Sequence, residues 1–267
     1  MGTIIVYILF AAISFGASAI GAICGIGGGV LIKPLLDVFG VMSVSVISFL
    51  SGCTVLTMSC YSVVKSRLDG NSLIDLKIGT PLAVGAAIGG IAGKSLFQSL
   101  SKMFSDADRV GAIQAFCLLA VTLGTLLYTI KKEQIRTLRL TMPLVCTSIG
   151  LLLGVLSSFL GIGGGPINLV VLYYFFSMDT KTAAQNSLYV ILFSQLTSFL
   201  LTVITGTVPP ISIAVLVLMV LGGLLGGVAG RSINRKISTK NIDRLFIGLM
   251  GAIILLCIYN VVRFGRA

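Results

Sequence analysis

Gly25-Ile26-Gly27-Gly28-Gly29-Val30-Leu31-Ile32-Lys33-Pro34-Leu35-Leu36 follows a long apolar run, and its core returns in the second half of the chain as Gly161-Ile162-Gly163-Gly164-Gly165-Pro166. Three successive glycines break a helix and free backbone amides, which a membrane span tolerates only where protein or a water-filled cavity surrounds them. Each run leads into an apolar stretch, 30–39 and 167–176, too short for a crossing and suited to a half-helix or re-entrant segment. A second pattern recurs in the same order: Gly89-Gly90-Ile91-Ala92-Gly93-Lys94-Ser95 returns as Gly226-Gly227-Val228-Ala229-Gly230-Arg231-Ser232, its offset differing from that of the first pattern by a single position, and Gly85 pairs with Gly222. Two patterns in order at nearly one offset predict a duplication. The units are 1–130 and 140–267, joined by a basic connecting loop at 131–139.

Around these breaks the chain is apolar. Its 267 residues are 56% hydrophobic and 10% charged, with mean hydropathy +1.09, whereas soluble domains carry about 25% charge. Apolar runs at 4–24, 43–64, 78–96, 110–130, 140–160, 183–204, 211–230 and 242–262 predict about eight transmembrane helices. The fold class is an all-α polytopic membrane protein made of two homologous four-helix repeats, each with one short glycine-led segment. The first run contains Ala17-Ser18-Ala19 but lacks a basic leader, so it reads as a retained span rather than a signal peptide.

The net charge of +11 lies mainly in short loops, where it sets topology and meets anionic headgroups. The expected surroundings are a lipid bilayer, in a multi-pass protein of the cell (inner) membrane. No segment forms the basic domain that nucleic-acid binding would need. The six cysteines fall in apolar stretches without CxxC spacing and read as small buried hydrophobes, so no disulfide framework or metal site is expected. An intramembrane enzyme is disfavoured because histidine is absent and the spans hold no paired carboxylates or Ser/Lys dyad. For an up-and-down arrangement the loop charges give no orientation. If the halves are inverted, the loops 65–77, 131–139 and 231–244 share one side, opposite the uncharged 205–210 turn. Inversion requires one glycine-led segment per half to count as a crossing.

The glycine breaks are the candidate site. Glycine lets a ligand approach the backbone, and a following half-helix offers unpaired N–H groups and the positive end of its dipole. Gly27, Gly28 and Gly29 with Gly163, Gly164 and Gly165 would form an anion site without a fixed charge, the half-helices beginning near Pro34 and at Pro166. Lys33 and Asp37 share a helix face. They read as snorkelling to an interface; the alternative is a buried pair with Lys33 near the anion and Asp37 as a proton relay. Gly85, Gly89, Gly93 and their counterparts have small-xxx-small packing spacing, and Lys94 and Arg231 read as helix-end anchors, with attraction of anions toward a pore mouth as the alternative. Ile88 stands where a Walker loop needs glycine.

The motif Gly-x-Gly-Gly-Gly-x-x-x-x-Pro-x-Leu from Gly25 to Leu36, with a second glycine copy after the fifth span, resembles the TauE/SafE family of sulfite and organosulfonate exporters. The resemblance covers essentially the full chain. The second copy departs from the motif: Pro166 follows at once, and Val170 stands where the first has Pro34. A further polar patch, Gln185-Asn186-Ser187-Leu188, opens a span as a similar family element does, and Ser51 is the first-half counterpart of Ser187. Hydroxyl and amide donors suit sulfonate oxygens, so Gln185, Asn186, Ser187 and Ser51 join the candidate binding residues; ordinary interhelical hydrogen bonding is the competing reading. The resemblance implies transport of a small sulfur-containing oxyanion such as sulfite or sulfoacetate, with no cofactor. A homodimer is an assembly this reading allows. With Asp37 the one carboxylate within the spans, uncoupled efflux driven by the membrane potential is the simpler mechanism. A proton-coupled carrier using Asp37, an anion channel of unrelated substrate and a structural scaffold fit the same sequence.

Overall fold

The computed structural model describes residues 2–70, 72–104 and 107–264. Among these, ten α-helices follow in chain order: α1 (Gly2–Cys24), α2 (Gly29–Phe39), α3 (Val44–Leu68), α4 (Leu76–Met103), α5 (Ala107–Lys131), α6 (Pro143–Phe159), α7 (Pro166–Phe176), α8 (Thr180–Ile204), α9 (Ile213–Lys236) and α10 (Thr239–Phe264). Seven are long and apolar enough to cross a membrane. The 17-residue α6 sits at the lower limit of about 17 residues for a crossing. The 11-residue helices α2 and α7 are the two short segments expected after the glycine runs. The chain is a multi-pass membrane protein.

Local sequence explains the boundaries. The Asp75 carboxylate accepts from the Lys77 amide, and that of Asp179 accepts from the Lys181 and Thr182 amides, capping α4 and α8. Pro143 and Pro166 open α6 and α7, where the missing N–H costs nothing. The two short helices end alike, α2 at Gly40 (φ 61°) and α7 at Ser177 (φ 52°), both left-handed.

The glycine stripes determine the packing. Gly85, Gly89 and Gly93 of α4 lie against the α6 backbone at Thr147, Leu151 and Val155; Gly222, Gly226 and Gly230 of α9 lie against the α1 backbone at Ala11, Phe15 and Ala19. The indices rise together, so each pair of helices runs parallel at close backbone approach. Ala11, Phe15 and Ala19 are the first-half equivalents of Thr147, Leu151 and Val155, at the offset that relates Gly25 to Gly161. The first helix of each half therefore packs on the fourth helix of the other.

Equivalent helices point in opposite directions. The start of α3 (Ser48, Phe49) and the end of α8 (Ser198, Thr202) line one cavity. The end of α3 (Ser62, Ser66) and the start of α8 (Ala184, Gln185) line another. At the end of α1 the Ile23 carbonyl accepts from Asn234, near the end of α9. The end of α2 instead meets Arg263, near the end of α10, which donates to the Asp37 and Val38 carbonyls. Because α9 and α10 are joined by a tight turn and run oppositely, α2 returns toward the face from which α1 started. Each half thus has five segments, an odd number. The three basic loops share one face, where Lys132 pairs with Asp243 at 2.6 Å and Arg231 and Arg235 pair with Asp69. On the opposite face Gln98 donates to Thr207 in the uncharged turn.

Candidate functional site

The two glycine breaks abut at the centre of the molecule. A Cβ on Gly29 would overlap the Ile162 carbonyl, one on Gly164 would lie 3.0 Å from the Ile26 carbonyl oxygen, and one on Gly27 would lie 3.5 Å from that of Gly163. Gly25 and Gly27 (φ 77° and 79°) match Gly161 and Gly163 (φ 65° and 67°), a left-handed backbone that glycine adopts without strain. The copies diverge afterwards: Gly28 is right-handed helical where its counterpart Gly164 has φ 143°, and Gly165 is extended ahead of Pro166 where its counterpart Gly29 already opens α2. Among the described residues, the amides of Gly27, Gly28, Gly29, Gly163, Gly164 and Gly165 find no backbone acceptor. Val55 of α3 and Ile191 of α8, equivalent positions of the two halves, wall the junction. Ser51 and Ser187 stand one turn earlier on the same faces. Both hydroxyls are buried without a partner among the described residues.

A cavity approaches this junction from each side. The first is lined by Ala22, Ser62, Ser66, Ala184, Gln185 and Arg231. The second is lined by Ser158, Ser198, Thr202, Ser48, Phe49 and Lys94. Taken in that order the two sets are equivalent positions of the two halves, Arg231 matching Lys94. Gly161 of the second break forms part of the second cavity's wall, and Gly25 of the first packs on Ala184 of the first cavity. An apolar cluster of Ala22, Val55, Met58, Leu188 and Ile191 lies between.

The cavities differ in charge. Arg231 donates to the Ser62 carbonyl at 3.0 Å and pairs with Asp69 at 3.4 Å. Asp69 also accepts from Lys65 at 3.1 Å and from Arg235, and the Lys65 hydrogen bond above all holds its carboxyl below the usual value of 3.8. Lys94 is 9% exposed. No carboxylate or acceptor among the described residues hydrogen-bonds or ion-pairs with it, and its ammonium stands 5.3 Å from the centre of the Phe97 ring.

The sequence candidates divide into three groups. Gly27, Gly28, Gly29, Gly163, Gly164, Gly165, Pro166, Ser51 and Ser187 gather at or beside the junction. Gln185 and Asn186 lie toward the basic face. The Gln185 carbonyl oxygen accepts from the Ser66 hydroxyl at 2.7 Å and the Leu73 amide at 3.0 Å. Asn186 accepts from the Asp75 amide and donates to the Leu73 and Thr182 carbonyls. Asn186 thereby fastens residues 73–75 to α8. Lys33, Pro34 and Asp37 line a separate small cavity with Gln114 and Asn260.

Three sequence expectations are corrected. Lys33 and Asp37 do not snorkel: they are 3% and 5% exposed and joined at 2.8 Å, because α5 and α10 cover α2. Lys94 and Arg231 are not helix-end anchors, since each lies more than a turn inside its helix and lines a cavity. Cys60 is exposed on the apolar outer surface rather than buried. The alternative reading of Lys94 and Arg231, as cations that draw anions toward a pore mouth, fits their place in the cavity walls. Sequence reasoning missed Ser48 and Ser158 as cavity residues. Among the described residues no three His, Cys, Asp or Glu side chains cluster as a metal site.

Residues 10–257 match the family model described as "Sulfite exporter TauE/SafE". Over 257 residues the chain is 25% identical to the "Probable membrane transporter protein YunE" of Bacillus subtilis (strain 168), the match covering 88% of this chain and 91% of that protein. No solved structure matches it.

Proposed function

The chain belongs to the TauE/SafE family of membrane transporters, and from that premise we propose that it moves a small sulfur-containing oxyanion, sulfite or an organosulfonate such as sulfoacetate, through the glycine junction. One observation carries this reading: two glycine breaks from different halves meet with unpaired amides, beside the buried unpartnered hydroxyl of Ser51. The amides of Gly27 to Gly29 and Gly163 to Gly165, with Ser51 and Ser187, donate to the oxyanion. The cavities on either side are its routes in and out, Gln185 standing in one of them.

Units 1–130 and 140–267 are inverted copies joined by the 131–139 loop, and transport alternates between their cavities as the halves rock. The face bearing the basic loops is cytoplasmic by the positive-inside rule. Outward movement of a monovalent anion gains about 2.3 kcal/mol per 100 mV, which is enough to drive efflux without a coupling ion. A second reading, proton coupling, has one observation in its favour: Asp37 Oδ1 is buried without a partner among the described residues.

The test is efflux from proteoliposomes loaded with sulfite or sulfoacetate. Saturable efflux is expected, and its absence across a panel of oxyanions overturns the reading. Gly28 is a poor probe of the site, because a Cβ there would lie 2.7 Å from Ser18 Oγ and 2.8 Å from its Cα. At Gly165 a Cβ meets only Ile162 Cδ1, at 3.2 Å. Gly165→Ala keeps the amide N–H and should therefore insert normally, while its methyl group takes space where the oxyanion packs against the backbone and should slow efflux about tenfold. Wild-type efflux in this variant would remove the junction from the site.

A further inference from the structure

We propose that the cavity around Lys94 is an anion-binding site in its own right, where a small oxyanion docks on the Lys94 ammonium and the hydroxyls of Ser48 and Ser158 before or after it occupies the glycine junction. This rests on the anion-transport reading and assigns it a second site. A buried cation is costly unless paired, and Lys94 is buried with no acceptor among the described residues. The hydroxyls of Ser48 and Ser158 in the same wall are likewise buried and unpartnered.

Comparison of the halves shows what is missing. In the equivalent cavity Arg231 has a carboxylate partner, Asp69, which it shares with Lys65 and Arg235. The second-half position equivalent to Asp69 is Thr205, a neutral residue whose hydroxyl donates to the Leu201 carbonyl. The duplicated cavity thus keeps the cation and has no counter-carboxylate. Lys94 has no carboxylate partner among the described residues, so an entering anion supplies the balancing charge, and the hydroxyls of Ser48 and Ser158 in the same cavity wall suit an oxyanion better than a halide. At one end of the pathway the cavity cation is paired with a carboxylate, and at the other it is left for an anion.

The experiment follows thermal unfolding of the purified full-length protein in detergent, with sodium sulfite or sulfoacetate titrated against sodium chloride at matched ionic strength. Wild-type protein should melt higher as either anion is added. Lys94→Met should melt higher than wild type without ligand, because an unpaired buried charge has been replaced by an apolar side chain. Its affinity for the anion should fall about 10- to 100-fold, the range for a charge-assisted contact. Lys94→Arg should retain binding within a few-fold. A Lys94→Met protein that binds like wild type, or that is less stable or fails to fold without ligand, overturns the proposal; so does a wild-type protein that responds to none of sulfite, sulfoacetate, sulfate and phosphate. Gly165→Ala separates the two sites. Binding lost in Lys94→Met and kept in Gly165→Ala supports the Lys94 site while removing the junction, and the reverse pattern overturns the Lys94 site alone.

Discussion

Lys33 and Asp37 are four residues apart, and that spacing was enough to place them on one face of a short helix. It was not enough to say what covers the face. The neighbours that bury the pair, Gln114 of α5 and Asn260 of α10, are distant in sequence and carry no pattern pointing to α2. The pair predicts a stability contrast. Asp37→Asn leaves the Lys33 charge buried and unpaired, and should cost about 3–5 kcal/mol. The double replacement Lys33→Met/Asp37→Leu removes both charges and should unfold within about 1 kcal/mol of wild type, as buried pairs exchanged for apolar residues often do. Denaturation of the two variants measures the difference. The double variant also bears on the coupling question: efflux that persists in it with its response to a pH gradient unchanged excludes Asp37 as a proton carrier.

The helices themselves were legible almost to their ends, because long apolar runs bounded by charge leave few alternatives. The short helices α2 and α7 were legible for a different reason: the glycine run marks where each begins. Less visible was which helix each glycine stripe faces, since small-xxx-small spacing names a surface and not its partner. Across these seams substitutions should behave very differently from those elsewhere on the same kind of helix. A Cβ on Gly89 would overlap the Leu151 carbonyl and one on Gly226 the Phe15 carbonyl, so Gly89→Ala and Gly226→Ala should each destabilise by about 1–3 kcal/mol. Gly124 and Gly248 have nothing within 4 Å of an added Cβ. Alanine there should be neutral or stabilise by about 0.5–1 kcal/mol through helix propensity. Melting temperatures of the four variants check both halves of the statement.

At the scale of the molecule, the recurring glycine patterns were legible and the relative direction of the segments that carry them was not. Whether two copies are parallel or inverted depends on the parity of segments per half, and a short helix that turns back counts as a segment without having the length of a span. Only the contacts at the ends of α1 and α2 show the return. Because α1 packs on α9 and α6 on α4, neither half contains the partner of its own first helix. Fragments split within the 131–139 loop should therefore give a protease-resistant, active protein when co-expressed, whereas each expressed alone should be degraded. A single fragment that proves stable by itself would contradict the interlocked arrangement.

The same exchange of first helices sets a timetable for biosynthesis. Ala11 of α1 is seated on Gly222 of α9. A ribosome adding about 5–20 residues per second needs on the order of 10–40 s to traverse the chain between them. Throughout that interval α1 waits in the lipid with its future seam uncovered and with Ser14 and Ser18, buried in the finished protein, facing hydrocarbon or a temporary escort. The closing of α9 over α1 is thus a late event, and a stalled or truncated nascent chain presents the membrane's quality-control proteases with an orphaned first helix.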